Sequence, residues 1–227
     1  ISLGVGEPDF QTPWVVRKEA VDILERKRII YSANSGMMNL RKEIANYLNR
    51  KYDLTYDPDS EVIATVGGSE AIDLAIRAIV NPGDEVLVVE PSFVCYKPIV
   101  ELMHGVAVPI PTKEENKFKL TPEELQAHIT EKTKMLILPY PNNPTGGIMT
   151  REDLEKIAAV LRGTNILVLS DEIYSELTYG TKHCSIASIP DMWERTIYVS
   201  GFSKAFAMTG WRLGYLCAPK PLAKQML

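Results

Sequence analysis

Residues 166–174 read ILVLSDEIY, an apolar run that ends in a carboxylate, Asp171, and then a phenol, Tyr174. A strand with no polar interruption has no face to give to water, and such strands belong to parallel sheets covered by helices on both sides. Working outward, further runs rich in Val and Ile occur at EVIATVG (61–67), EVLVVEP (85–91), VAVPIP (106–111), KMLILPYP (134–141) and TIYVSGF (196–202). Segments of helical period separate them, at about 69–80, 92–104, 122–130 and 151–162. The last two open on Thr-Pro-Glu-Glu and Thr-Arg-Glu-Asp, whose hydroxyl and carboxylate can each bond a free backbone N–H of the first turn. This alternation predicts an α/β fold with a mostly parallel sheet flanked by helices and right-handed crossovers.

Ahead of the sheet core (61–227) lies a lead-in (1–60) with two helices expected around 13–27 and 38–52. No repeat, low-complexity tract or Gly/Ser linker divides the chain, so one domain is the economical reading. A chain of 227 residues that is 45% hydrophobic can bury a sizeable core. Its net charge of -4, with no Lys/Arg-rich run, gives nucleic acid or an anionic membrane no reason to bind. The composition therefore points to a small-molecule ligand. Cys95, Cys184 and Cys217 are too few and too scattered for a disulfide framework or a zinc site, so no metal is expected and a reducing compartment, the cytoplasm, fits. No apolar run approaches the roughly 20 residues that span a bilayer, and no basic-then-apolar leader is visible. The chain starts without Met and stops in the helix-like run PKPLAKQML, which raises the expectation of a longer parent protein.

Ligands of open α/β sheets collect beyond the carboxyl ends of the strands. After EVIATV come Gly67, Gly68, Ser69 and Glu70 at a helix start, which make either a tight turn or a phosphate cradle of free N–H groups. After LVVEP comes Phe93, core residue or flat platform for a ring. Asn142-Asn143-Pro144-Thr145-Gly146 is a turn by composition that leaves two amides free as donors. Asp171 is costly at the mouth of a buried strand unless a cation, such as a protonated ring nitrogen or an arginine, meets it; a helix cap is the plainer role. Past TIYVSGF stands Lys204, in semi-apolar surroundings that lower an amine's pKa and leave it nucleophilic toward an aldehyde, though most lysines are simply solvated. Eight positions on, Arg212 can offer a bidentate fork to a phosphate dianion.

With those residues in place, the chain resembles the pyridoxal-phosphate-dependent aminotransferases of fold type I, class I/II. GEPDFQTP, YSANSGMMNLRKEIA, VGGSEAI, NPGDEVLVVEPSF, PNNPTG, SDEIY and SKAFAMTGWRLGY stand in the family's order and spacing over essentially all of the chain. The resemblance implies a seven-stranded sheet in a cofactor-binding large domain over 1–227, with a C-terminal small domain and its carboxylate-binding arginine beyond it. It implies transfer of an amino group between an L-amino acid and a 2-oxo acid, with pyridoxal 5'-phosphate held by Lys204 as an aldimine. Asp171 would pair with the ring nitrogen, Tyr174 and Asn143 with the ring hydroxyl, and Phe93 would stack on the ring. Gly68, Ser69, the Glu70 N–H, Ser203 and Arg212 would hold the phosphate. Gly6 and Asn143 would face the substrate, and Tyr31 would reach the neighbouring subunit's cofactor in a homodimer. Where many relatives carry Ser or Thr three residues before the lysine, this chain has Gly201, so Ser200 and Ser203 compete for the phosphate. LSDEIYSELTYG and LRGTNILVLSDEIY are similar to the bacterial aminotransferase A subgroup, some of it assigned to acetylated diaminopimelate; aspartate or aromatic donors fit the resemblance as well. A carbon–sulfur lyase with the same cofactor and an effector domain of a transcription regulator on the same fold are the alternatives.

Overall fold

The computed structural model describes residues 6–227. In chain order its elements are α1 (Trp14–Arg26), α2 (Met38–Tyr52), β1 (Val62–Thr65), α3 (Gly67–Ile79), β2 (Glu85–Glu90), α4 (Tyr96–Leu102), β3 (Val106–Pro111), α5 (Pro122–His128), β4 (Thr133–Leu138), α6 (Arg151–Leu161), β5 (Leu167–Asp171), β6 (Thr196–Gly201), β7 (Gly214–Cys217) and α7 (Lys220–Met226). The strands form one seven-stranded sheet in the order β1-β7-β6-β5-β4-β2-β3. Only β7 runs against its neighbours, so β1 points the same way as β2 to β6.

Alternation along the strands sends side chains to two helical layers. Val86, Val88, Met135, Ile137, Leu169, Ile197, Val199 and Leu216 face one layer, made by α3, α4 and α7. Leu87, Val89, Leu136, Leu138 and Val168 face the other, where α6 contributes Leu154, Ile157, Ala158 and Leu161 at helical spacing. Over β1, β7 and β6 that second layer is continued by α2, whose Ile44, Ala45 and Leu48 pack on Val62, Tyr198, Tyr215 and Cys217. Each such aliphatic side chain taken fully from water contributes about 1.5–3 kcal/mol. Half of the lead-in is therefore built into the sheet's own core, through α2.

Both predicted capped starts are present. Thr121 accepts from Glu124 N–H and Thr150 from Asp153 N–H, each at 3.2 Å, and in each case the carboxylate returns the bond to the cap N–H. The expected helix over 92–104 is shorter than its pattern, because Pro98 lacks an N–H and is tolerated only in a first turn, so α4 begins at Tyr96. The seventh strand is GYLC, four buried residues that open on a glycine, a run too short to stand out in the sequence.

The antiparallel setting of β7 brings its first residue to the edge where the parallel strands end. Thr65 of β1 and Gly201 of β6 both lie opposite Gly214. A side chain at 214 has no room, since a Cβ there would sit 2.6 Å from Gly68 N. Gly201 is confined too, though less tightly, with Gly214 Cα 3.0 Å from where its Cβ would be. These close approaches pull the start of α3, the end of β6 and the residues before β7 into one corner.

Candidate active site

A cavity of about 500 Å³ opens at that edge. Every parallel strand except β3 sends a residue to it directly or from the following turn. The start of α3 brings Gly68 and Ser69, the turn after β2 brings Phe93, and that after β4 brings Asn143. Asp171 and Tyr174 come from the end of β5, Ser203 and Lys204 from beyond β6, and Arg212 from the approach to β7; Gly6 of the N-terminal segment closes the rim.

Asp171 forms the floor. It is 6% exposed and accepts the Tyr96 hydroxyl at 2.7 Å and the Ile173 N–H at 3.2 Å. Burial pushes its carboxyl above the usual carboxylate range, the two hydrogen bonds pull it back, and the charge of Glu172 adds to the rise. Among the described residues no Lys, Arg or His forms an ion pair with it, which removes the expected arginine partner as an explanation. What it caps is the bend at Ile173. The carboxyl group thus lies buried at the cavity floor and, among the described residues, has no cation paired with it.

Lys204 is half-buried and its amine donates to the Gly6 carbonyl. Burial lowers its pKa, the Glu7 carboxylate opposes that fall, and the Arg212 guanidinium adds to it. Its nitrogen stands 5.7 Å from the centre of the Tyr174 ring, and the Tyr174 hydroxyl accepts from the Asn143 amide at 3.4 Å. The N-terminal segment that supplies Gly6 is strapped down by Thr12, which donates to Ala207 O at 2.6 Å, and by Glu7, which accepts from the Thr209 hydroxyl at 2.7 Å.

Arg212 has a left-handed backbone (φ 52°) and donates to Thr209 O at 3.0 Å. That turns the guanidinium over Gly67, where any Cβ would collide with it. The cation therefore lies beside the first N–H groups of α3, a 13-residue helix whose start carries partial positive charge. Ser203 lines the cavity, whereas the Ser200 hydroxyl turns away and donates to Glu172 O at 3.3 Å. Of the two serines, Ser203 is therefore the one that faces the cavity.

Two of the named residues do not line the cavity. The Glu70 side chain turns back onto the Val66 N–H, which leaves its backbone N–H, the group expected at the phosphate, in the first turn of α3. Tyr31, expected at a neighbouring subunit's site, is wholly exposed and lies apart from this cavity. Sequence reasoning missed Tyr96, which is 2% exposed, bonds Asp171, and stands edge-on to Phe93 at 6.0 Å. A phenol just past a strand end was the available signal, as it was for Tyr174. Thr209, which lines the cavity and holds Glu7, carried no such signal.

The donor set fits a phosphorylated pyridine aldehyde on the chemistry it presents. It offers an anion cradle at Arg212 and α3, a buried carboxyl group with no paired cation among the described residues for a ring N–H, and an amine of lowered pKa on the same cavity. Among the described residues no three His, Cys, Asp or Glu side chains group to hold a metal, and no helix is long and apolar enough to cross a membrane.

The family model described as aminotransferase class I and II matches residues 1–227. A putative aminotransferase of Bacillus subtilis, YugH, is 51% identical over 100% of this chain and 59% of its own length. The probable N-acetyl-LL-diaminopimelate aminotransferase of the same organism is 45% identical over 100% of this chain and 57% of its own length. Among solved structures, an aromatic aminotransferase from Pyrococcus horikoshii OT3 is similar with a TM-score of 0.97 at 43% identity, covering 100% of this chain and 60% of that one. The chain thus spans under two thirds of the length of these relatives.

Proposed function

Because the chain belongs to the aminotransferase class I and II family, we propose that it holds pyridoxal 5'-phosphate in the strand-end cavity and moves an amino group between an L-amino acid and a 2-oxo acid. The observation that carries this reading is the convergence of Lys204, Asp171 and Arg212 on one cavity from three separate strand ends. When bound, the cofactor supplies an aldehyde that condenses with amines and a ring that takes up the electrons of a breaking Cα–H bond.

Arg212, Ser203, Ser69 and the N–H groups from Gly68 to Glu70 would neutralise and orient the phosphate. Asp171 would accept the ring N–H and keep that proton in place, giving its buried charge the partner it lacks. Tyr174 and Asn143, already bonded to each other, would bond the ring hydroxyl, and Phe93 would cover one ring face. Lys204 would anchor the cofactor through its amine and would carry the proton taken from, and returned to, the substrate Cα. Its lowered pKa keeps a larger share of the amine neutral for that work. Gly6 and Asn143 line the side on which the substrate carboxylate would lie.

The active form on this reading is a homodimer. Trp14, Val15, Val21 and Leu24 of α1 are exposed, none of α1 is buried, and Tyr31 follows with 103% exposure, a surface suited to a second copy into whose site Tyr31 would reach. The three unpaired thiols fit a reducing compartment, and we assign the reaction to the cytoplasm. The decisive experiment treats the full-length protein, loaded with pyridoxal phosphate, with borohydride and digests it. A pyridoxyl mass on the Lys204 peptide is expected, together with release of the donor's 2-oxo acid without ammonia in turnover. A label elsewhere, or turnover retained in Lys204→Ala, overturns the assignment.

A further inference from the structure

On the far side of β5 from the cavity lies a second polar cluster. Strand alternation points Ser170 and Glu172 away from Asp171, into the opposite helical layer. Glu172 is 1% exposed, and its Oε1 accepts the hydroxyls of Ser170 at 2.9 Å and Ser185 at 2.6 Å. Its Oε2 faces Nε2 of His183, whose side chain is 7% exposed. A carboxylate only accepts, so Nε2 is the donor. The backbone of Glu172 is equally committed: its N–H donates to Val199 O at 2.8 Å, and its C=O accepts from Ser175 N–H at 3.0 Å and the Ser200 hydroxyl.

The other end of the same bend is held in a similar way. Glu176 accepts from Tyr47, from Tyr52 at 2.8 Å and from Lys51 at 2.9 Å, all on α2. The Tyr52 ring in turn stands edge-on to His183 at 5.5 Å. Tyr174 therefore sits midway between two clamped carboxylates. A fully buried ion or hydrogen-bond cluster is weak evidence for stability, since apolar side chains of the same volume do as well. What an apolar peg cannot do is fix direction, because only hydrogen bonds set the rotation of the bend that places Asp171 on one side and Tyr174 at the rim.

We propose that His183 is a positioning residue of the active site: seated on Glu172, it fixes the bend 171–174 and so the aim of Asp171 and Tyr174 into the cavity. The inference rests on the reading of those two residues as cofactor partners. Its test uses the full-length protein and three readouts: pyridoxal phosphate affinity by fluorescence titration, the visible circular dichroism of the bound cofactor, and kcat at saturating cofactor. In His183→Ala, cofactor affinity and kcat should each fall about tenfold or more, as small misplacements of reacting groups do, and the dichroic band should change. His183→Gln, which keeps a donor near the Nε2 position, should recover most of the loss. Ser185→Ala, which removes one of the three groups on the Glu172 carboxylate, should lie between wild type and His183→Ala and serves if the alanine variant fails to fold. A variant with a lower melting temperature but wild-type affinity, band and kcat would show a purely structural peg and overturn the proposal. Wild-type protein that does not bind pyridoxal phosphate at all would instead bring down the functional reading.

Discussion

At the residue scale the site is organised around a charge placed where charge is costly. Burial raises the Asp171 carboxyl above its ordinary value of 3.8, so the folded chain binds that proton more tightly than the unfolded chain. Stability then falls as pH rises from 3.8 through the folded-state value, and the cost is fully present above it. Asp171→Asn keeps the shape and the Tyr96 contact while removing the charge. The cofactor-free protein should therefore melt higher at pH 7 in this variant, by about 2–4 °C per kcal/mol recovered, and the gain should shrink as pH is lowered toward 3.8. Cofactor affinity and turnover should fall about a hundredfold in the same variant. Calorimetry across pH beside a cofactor titration checks both, and a variant that melts lower at pH 7 would make Asp171 a structural carboxylate.

At the element scale, function depends on how closely β7 approaches the start of α3. Gly214→Ala places a methyl 2.6 Å from Gly68 N, so one of the two backbones must move. Overpacking of this kind costs about 1–3 kcal/mol. Because the displaced segment is the proposed phosphate cradle, cofactor affinity should drop with stability. Thr150→Ala is the matched control: it removes the cap of α6, on the opposite helical layer, for a cost of about 1 kcal/mol, and should leave cofactor affinity untouched. Denaturant unfolding and cofactor titration on both variants decide whether the two effects separate. The capped starts of α5 and α6 and the apolar strand runs were legible in the sequence because each is set by residues within a few positions. The start of α4 was misread for want of weight on Pro98, and β7 escaped because four residues carry too little pattern.

At the scale of the whole molecule, the exposed apolar side chains of α1 and of Ile29, Ile30 and Tyr31 stand out against a well-filled sheet core. On the homodimer reading the full-length protein sediments as two subunits, and dilution that separates them lowers turnover per subunit. Tyr31→Phe, which removes a hydroxyl from an otherwise unchanged surface, should weaken cofactor binding without altering the sedimenting mass. Equal affinity in the two proteins would leave Tyr31 as interface packing with no part in a shared site.

The sequence by itself determined the fold class, since uninterrupted apolar strands alternating with helical segments leave no stable arrangement but a covered parallel sheet. It also named about half of the cavity's residues, because strand ends are where such a sheet can expose polar groups. Tertiary structure alone decided which of Ser200 and Ser203 turns inward, that Tyr96 rather than an arginine meets Asp171, and that Glu172 and His183 brace the same bend from behind. Those outcomes depend on pairs of residues far apart in the chain. Their contact is fixed by the twist and register of the sheet, and local propensity carries no information about it.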